Sequence, residues 1–192
     1  MMQNIHFKAP NCWINDPNGF IWYKGQYHLF YQCFPYAPQW GRMHWGHAVS
    51  KDLVNWEEKG IALYPTKTDD RSGCFSGSAV EQDGTLYLFY TGVNYLEENP
   101  EDINQCRNDQ FLAAQMMISS DDGMTFDNVK RKKTVIPPIT EKQIGSKTNT
   151  RDPKVWRGKD AWYLVLGSSV DHKGRLLIIK AMIFRIGRIS AT

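Results

Sequence analysis

Cysteine is scarce in this sequence and unpatterned. Cys12, Cys33, Cys74 and Cys106 lie far apart with no CxxC pair, so they offer neither a zinc site nor a dithiol redox motif. Reduced thiols are the expected state. An excess of one charge is also missing. The net charge is +3, and the basic residues are dispersed apart from Lys130-Arg131-Lys132-Lys133, which reads as a solvated loop. No nucleic-acid partner is expected from such a surface. No apolar run reaches the length that spans a bilayer, so no membrane association is expected. The opening Met1 to Pro10 is polar and mixed, unlike a secretory signal, and a cytoplasmic location is the expectation. Helix signals are weak throughout, with at most a short turn over Pro100 to Asn108. The histidines show no HExxH spacing, and His44 and His47 fall on opposite faces of a strand. Neither metal nor cofactor is expected.

Aromatic residues, by contrast, are abundant: 13% of the chain, with seven Trp, nine Tyr and nine Phe. They suit strands and cores, and they also suit platforms on which sugar rings stack. With 192 residues and 42% apolar content, the chain is long enough for one packed domain.

The strand pattern repeats. Phe20 to Gln32 reads as a hairpin around Lys24-Gly25, and His44 to Ser50 as a third strand. A polar turn, Lys51 to Glu57, follows. The unit restarts with Cys74 to Val80, an Asp83-Gly84 turn, Thr85 to Tyr90 and Phe111 to Ser119. Its closing turn, Ser120 to Phe126, resembles Ser50 to Trp56. A third pass opens with Arg151 to Trp156, turns at Gly158-Lys159-Asp160 and continues through Ala161 to Leu166. Repeated units of about four strands point to an all-β propeller, each unit a blade; a β-sandwich with unrelated loops is the alternative.

The first strand of each unit carries a polar cluster: Asn15-Asp16-Pro17, Ser76-Gly77-Ser78 and Arg151-Asp152-Pro153. In a propeller these strands surround the central channel, so the clusters converge on one funnel. Asp16 precedes proline, which favours extended geometry, and Asn18-Gly19 reads as a tight turn after it. A simple Asx turn starting a strand is the plainer reading of that stretch. Gln32, Trp40, His44, Trp45, His47, Phe75 and Ser76 lie on the same rim-side segments. Carboxylates and amides suit sugar hydroxyls, and paired carboxyl groups are what glycoside cleavage uses. A metal site built from two Asp and two His is the weaker alternative.

Seven phrases then occur in order: WINDPNG at 13–19, FYQ at 30–32, WG at 40–41, HWGHAVS at 44–50, FSGS at 75–78, YTG at 90–92 and RDP at 151–153. Together they resemble glycoside hydrolase family 32, the invertases, sucrose-6-phosphate hydrolases, levanases and inulinases. The resemblance implies a five-bladed propeller, of which about two and a half blades are expected here. It implies a retaining hydrolysis of β-fructofuranosidic bonds, with a small-molecule sugar as substrate. It makes Asp16 the nucleophile. Asp152 would hold fructosyl hydroxyls and stabilise the transition state, with Arg151 favouring its ionised form by charge pairing. Asn15, Gln32, Trp40, Phe75 and Ser76 would line the fructosyl pocket. Related arabinan- or xylan-cleaving enzymes, fructosyltransferases and a non-catalytic sugar-binding remnant are the rival readings.

One departure matters. The family's acid/base is a Glu in a Glu-Cys phrase downstream of RDP, yet no Glu follows Glu141 and no Glu-Cys pair occurs. The segment from Leu176 onward also lacks the Asp/Asn turn and Trp of the earlier units. A permissive back-translation from Lys180, read two bases on, yields S-N-D-F-S-N-W-E, close to the phrase at 50–57. The expectation is residues 1–179 as the N-terminal part of a catalytic propeller and 180–192 as a frameshifted tail, the chain itself being inactive.

Overall fold

The computed structural model describes residues 7–8 and 12–181. Strands β1 (Trp13–Tyr23), β2 (Gln26–Phe34), β3 (His44–Ser50) and β4 (Trp56–Leu63) form one antiparallel sheet in that order. The second sheet runs β5 (Gly73–Gln82), β6 (Thr85–Tyr95), β9 (Phe111–Ser120) and β10 (Lys133–Ile136). Between β6 and β9 a two-stranded ribbon projects, β7 (Glu98–Asn99) and β8 (Asp102–Cys106). The third sheet has β11 (Arg151–Arg157), β12 (Trp162–Val170) and β13 (Lys173–Ala181). Each sheet is a meander, and the first strands β1, β5 and β11 pack in succession. This is a partial β-propeller of two complete blades and three strands of a third. The proposed boundary after residue 179 falls inside β13, whose register with β12 is unbroken from Lys173 to Ala181. The tail from residue 182 lies outside the described residues.

Local chemistry explains the strand joints. Lys24 and Gly25 both have positive φ (47° and 82°), as do Asp83 and Gly84 (52° and 79°), the conformation whose twist suits a two-residue hairpin. Asp171-His172 closes the β12–β13 hairpin in the same way, with φ of 49° and 61°. The two Ser-x-Asp turns are one device used twice. Ser50 Oγ accepts from Leu53 N at 2.9 Å while Asp52 Oδ1 accepts from Val54 N and Asn55 N. Ser120 Oγ accepts from Gly123 N at 2.9 Å while Asp122 Oδ1 accepts from Met124 N and Thr125 N. Short side chains that satisfy local backbone N–H groups terminate each third strand.

Alternation along the strands builds two cores. One face of β6 sends Leu86, Leu88 and Tyr90 against Tyr23, Phe30, Trp45 and Leu63 of the first blade. Its other face sends Phe89 against Val155, Leu164 and Leu166 of the third. A strand buried on both faces is what a central blade requires.

Three sequence expectations need correction here. Asn18-Gly19 makes no turn: β1 continues through it, with one bulge ahead of Pro17 and a second, between Asn18 and Ile21, that takes in Gly19. Gly19 still needs its φ of +53°, and a Cβ there would lie 2.9 Å from Phe30 Cδ2. Trp45 and His47 are core residues, fully buried rather than rim groups; Trp45 packs on Phe30 and Tyr90, and His47 stacks on Phe30. The basic run at 130–133 is not wholly solvated. Lys132 is buried and pairs with buried Asp70 at 2.6 Å, and Lys133 opens β10.

Candidate active site

The first strands share one irregularity. In β1, three steps from Ile14 to Pro17 face two steps on β2, from Cys33 to Tyr31. In β5, Cys74 to Gly77 faces Gly92 to Tyr90. In β11, Arg151 to Lys154 faces Gly167 to Val165. Each blade therefore has one extra residue at its polar cluster, a bulge that bends the strand and re-aims side chains. Inside the bulges stand Asn15 and Asp16, Phe75 and Ser76, and Asp152 and Pro153. The two Asp-Pro pairs are not in equivalent register, as their sequence identity had suggested. Pro17 pairs with Tyr31, whereas Pro153 lies within its bulge.

Backbone groups released by a bulge must find other partners, and here the preceding blade supplies them. Asn18 Oδ1 accepts from Gly77 N at 3.0 Å. Ser78 Oγ donates to Pro153 O at 2.7 Å and accepts from Val155 N at 3.0 Å. Thr91 Oγ1 accepts from Asp152 N at 3.0 Å. A Cβ on Gly77 would sit 1.9 Å from Phe89 O, so the close approach of β5 to β6 demands glycine.

Most of the expected site residues come together. Ser76 Oγ donates to Asp16 Oδ2 at 2.7 Å across the join between the first two blades. Asn15 Nδ2 donates to Gln32 Oε1, and Trp13 Nε1 donates to Asn15 Oδ1 at 2.9 Å. Gln32 is buried, while Asn15 and Asp16 are exposed. Trp40 meets Phe75 edge-on with ring centroids 6.2 Å apart, and Trp45 Nε1 donates to Phe75 O at 3.1 Å. His44 Nδ1 bonds to Arg42 O at 2.8 Å.

Asp152 stands close enough to the Asp16 carboxylate to feel its charge. Its pKa is raised by desolvation, against the pull of Arg151, with a smaller push from Asp16. Arg151 was expected to hold this carboxyl ionised. Its charge does pull in that direction, but desolvation outweighs it. Asp152 also has φ of +63°, a strained value for a residue other than glycine.

Sequence reasoning missed Asn18, Ser78, Thr91 and Gln115, which hold the bulges from behind, and Phe111, which packs on Phe75 with centroids 6.4 Å apart. Thr91 lay within the YTG phrase and Ser78 within FSGS, so both were flagged without a role.

A propeller whose first strands bring bulged carboxylates, amides and aromatic rings to one end belongs to the class of propeller glycoside hydrolases. Residues 6–183 match the glycosyl hydrolases family 32 N-terminal domain, and the chain belongs to that family. It is 44% identical over 172 residues to the sucrose-6-phosphate hydrolase of Zymomonas mobilis, covering 88% of this chain and 30% of the relative. The Bacillus subtilis sucrose-6-phosphate hydrolase is 38% identical over 177 residues, covering 92% and 33%. Among solved structures, the Bombyx mori β-fructofuranosidase superposes with a TM-score of 0.77 at 37% identity, covering 97% of this chain and 36% of that one. The chain thus spans about a third of the length of these relatives. A mutant of the Bombyx mori enzyme has been solved in complex with sucrose, and the Cichorium intybus fructan 1-exohydrolase in complex with 1-kestose.

Proposed function

We propose that this chain forms the fructosyl-binding, nucleophile-bearing part of a retaining β-fructofuranosidase. The observation that carries the reading is the Asp16 carboxylate, presented by a bulge of β1 and held by Ser76 from the neighbouring blade. Asp16 would attack the anomeric carbon of a β-linked fructosyl unit, forming a covalent fructosyl intermediate that water then releases. Asp152 would engage fructosyl hydroxyls, its carboxyl oxygens accepting hydrogen bonds from them. Arg151 would keep the pair from full mutual repulsion. Trp40, Phe75, Asn15 and Gln32 would wall the sugar, rings against its apolar edge and amides against its hydroxyls.

A general acid must also protonate the leaving group. None of the seven Glu in these 192 residues lies beyond Glu141, and the described site residues hold no third carboxyl in that role. The substrate that fits the named relatives is sucrose 6-phosphate, with a cytoplasmic setting where phosphorylated sugars occur.

The test compares binding with turnover. Calorimetry should detect fructose binding to the 192-residue chain and lose it in Asp16→Asn, while sucrose and sucrose 6-phosphate stay intact, since loss of the acid removes about 10² to 10⁴ in rate. Sucrose hydrolysis by the purified chain, abolished by Asp16→Asn, would overturn its assignment as catalytically incomplete. Absence of any fructose binding would overturn the site.

A further inference from the structure

Behind Asp152 a closed ring of buried polar groups joins two blades. Asp152 N–H donates to Thr91 Oγ1 at 3.0 Å, and the Thr91 hydroxyl donates to Gln115 Oε1 at 2.9 Å. Gln115 Nε2 donates in turn to Thr150 O at 2.8 Å. The ring therefore grips the backbone on both sides of Arg151, at the peptide before it and the peptide after it. Thr91, Gln115 and Thr150 are each no more than 1% exposed, so water cannot take over a lost bond.

Thr150 is anchored on its far side as well. Its hydroxyl donates to Ser146 O at 2.6 Å and accepts from Ser168 Oγ at 2.6 Å. The ladder to β12 lapses between Arg151 and Lys154. With that ladder missing, the left-handed backbone of Asp152 has no other described hydrogen bond at its N–H. A strained conformation persists only where its surroundings over-determine it.

We propose that Thr91 and Gln115 are positioning residues for Asp152: their hydrogen-bond ring fixes its left-handed backbone and so aims its carboxyl into the fructosyl pocket. The proposal rests on the reading of Asp152 as a fructosyl-binding carboxylate. It gives the Thr of the YTG phrase a role, and it places the determinant of one blade's carboxylate on the blade before it.

The test uses the full chain with Thr91→Val, which keeps the shape and removes both hydrogen bonds, and Thr91→Ser, which restores them. A second variant, Gln115→Met, keeps the bulk and removes both the acceptor for Thr91 and the donor to Thr150. Two readouts are taken: the Asp152 titration by ¹³C carboxyl NMR, and fructose affinity by calorimetry. The Asp152 pKa should move down toward the usual carboxylate range in Thr91→Val and Gln115→Met as the carboxyl relaxes into solvent. Affinity should fall about 10-fold or more, the effect of one misplaced polar group. Thr91→Ser should restore both. An Asp152 titration that matches wild type in Thr91→Val and Gln115→Met, whatever their melting temperatures, would overturn the proposal; if Thr91→Val does not fold, Gln115→Met alone decides on the same criterion. If wild type itself fails to bind fructose, the functional reading falls, while the titration still decides whether Thr91 sets the state of Asp152.

Discussion

Ser76 Oγ and Asp16 Oδ2 lie 2.7 Å apart, joined by a hydrogen bond that crosses from the second blade to the first. Both residues sit in bulges, so neither is held by a regular ladder. Their bond therefore links the orientation of the carboxylate to the packing of the two blades. Ser76→Ala should leave the melting temperature nearly unchanged, because the pair is partly exposed and replaceable by water. Fructose affinity should fall about 5- to 20-fold, the range expected for one charge-assisted bond. Calorimetry on the variant checks both halves. An unchanged affinity would mean that Asp16 is oriented by something else.

The raised pKa of Asp152 carries a stability consequence whose sign is fixed. Below the unfolded pKa, near 4, the carboxyl is protonated in both states and costs nothing. As the pH rises past that value the unfolded chain ionises first, and the penalty on the native state grows until its own raised pKa is passed and stays in full above it. Asp152→Asn removes the penalty and retains a side chain that tolerates positive φ. The variant should match wild type near pH 3 and become more stable than wild type toward pH 7, by urea titration. Its affinity for fructose should drop about 10-fold or more. A site residue that costs stability and supports binding is the pattern expected of function.

A second titrating pair lies in the first core. His28 Nδ1 and His47 Nε2 are 3.0 Å apart, and His47 stacks on Phe30 at 4.4 Å. Such a contact needs one ring to donate and the other to accept, so at most one of the two rings can carry a charge. Desolvation lowers both pKa values, that of His47 to about 3, with the charge of His28 adding to it. Above pH 6.5 the unfolded histidines are neutral too, and stability is fully present. As pH falls below 6.5 the unfolded state takes up protons that the native state refuses. Stability should then fall by up to about 1.4 kcal/mol per pH unit for each histidine. His47→Gln, which can still bond to His28, should reduce that slope by about one proton. A slope unchanged in His47→Gln would assign the acid sensitivity elsewhere.

Much of this architecture was legible because repetition amplified weak signals. Lys24-Gly25 and Asp83-Gly84 announced hairpins through their demand for positive φ, and the Ser-x-Asp phrases announced the ends of two third strands. Asp16, Ser76 and Asp152 were found because the phrases containing them recur in order. What stayed hidden depended on register and burial. The bulges cannot be seen in composition, so Asn18-Gly19 looked like a turn when it is part of a strand. Trp45 and His47 alternate correctly with the rim residues, but the neighbouring blade covers their face. Thr91 and Gln115 reach Asp152 only across a blade join, a contact between residues 61 positions apart for Thr91. The ribbon at 98–106 was reduced to a possible turn because two of its residues form β7.

Lys132 illustrates the same limit and supplies the sharpest stability test. In sequence it is one of four consecutive basic residues, indistinguishable from its solvated neighbours. In the fold it is the buried centre of a network. Its Nζ donates to Asp70 Oδ2 at 2.6 Å and to Tyr64 O. Asp70 also accepts from Tyr90 Oη at 2.8 Å and, through Oδ1, from Thr66 N and Lys67 N. This network ties the segment leading into β5 to the start of β10, and so supports the strand that carries Phe75 and Ser76. Lys132→Met should cost about 3–5 kcal/mol, because it strands a buried carboxylate whose partner has gone. Removing both charges, as Asp70→Asn with Lys132→Met, should cost less than Lys132→Met alone, since the uncompensated charge is then absent while the amide oxygen still accepts from the Thr66 and Lys67 N–H groups. Urea titrations of the two variants decide the point. A double variant as unstable as the sum of its singles would show that the pair acts as two independent packing groups rather than as one neutralised unit.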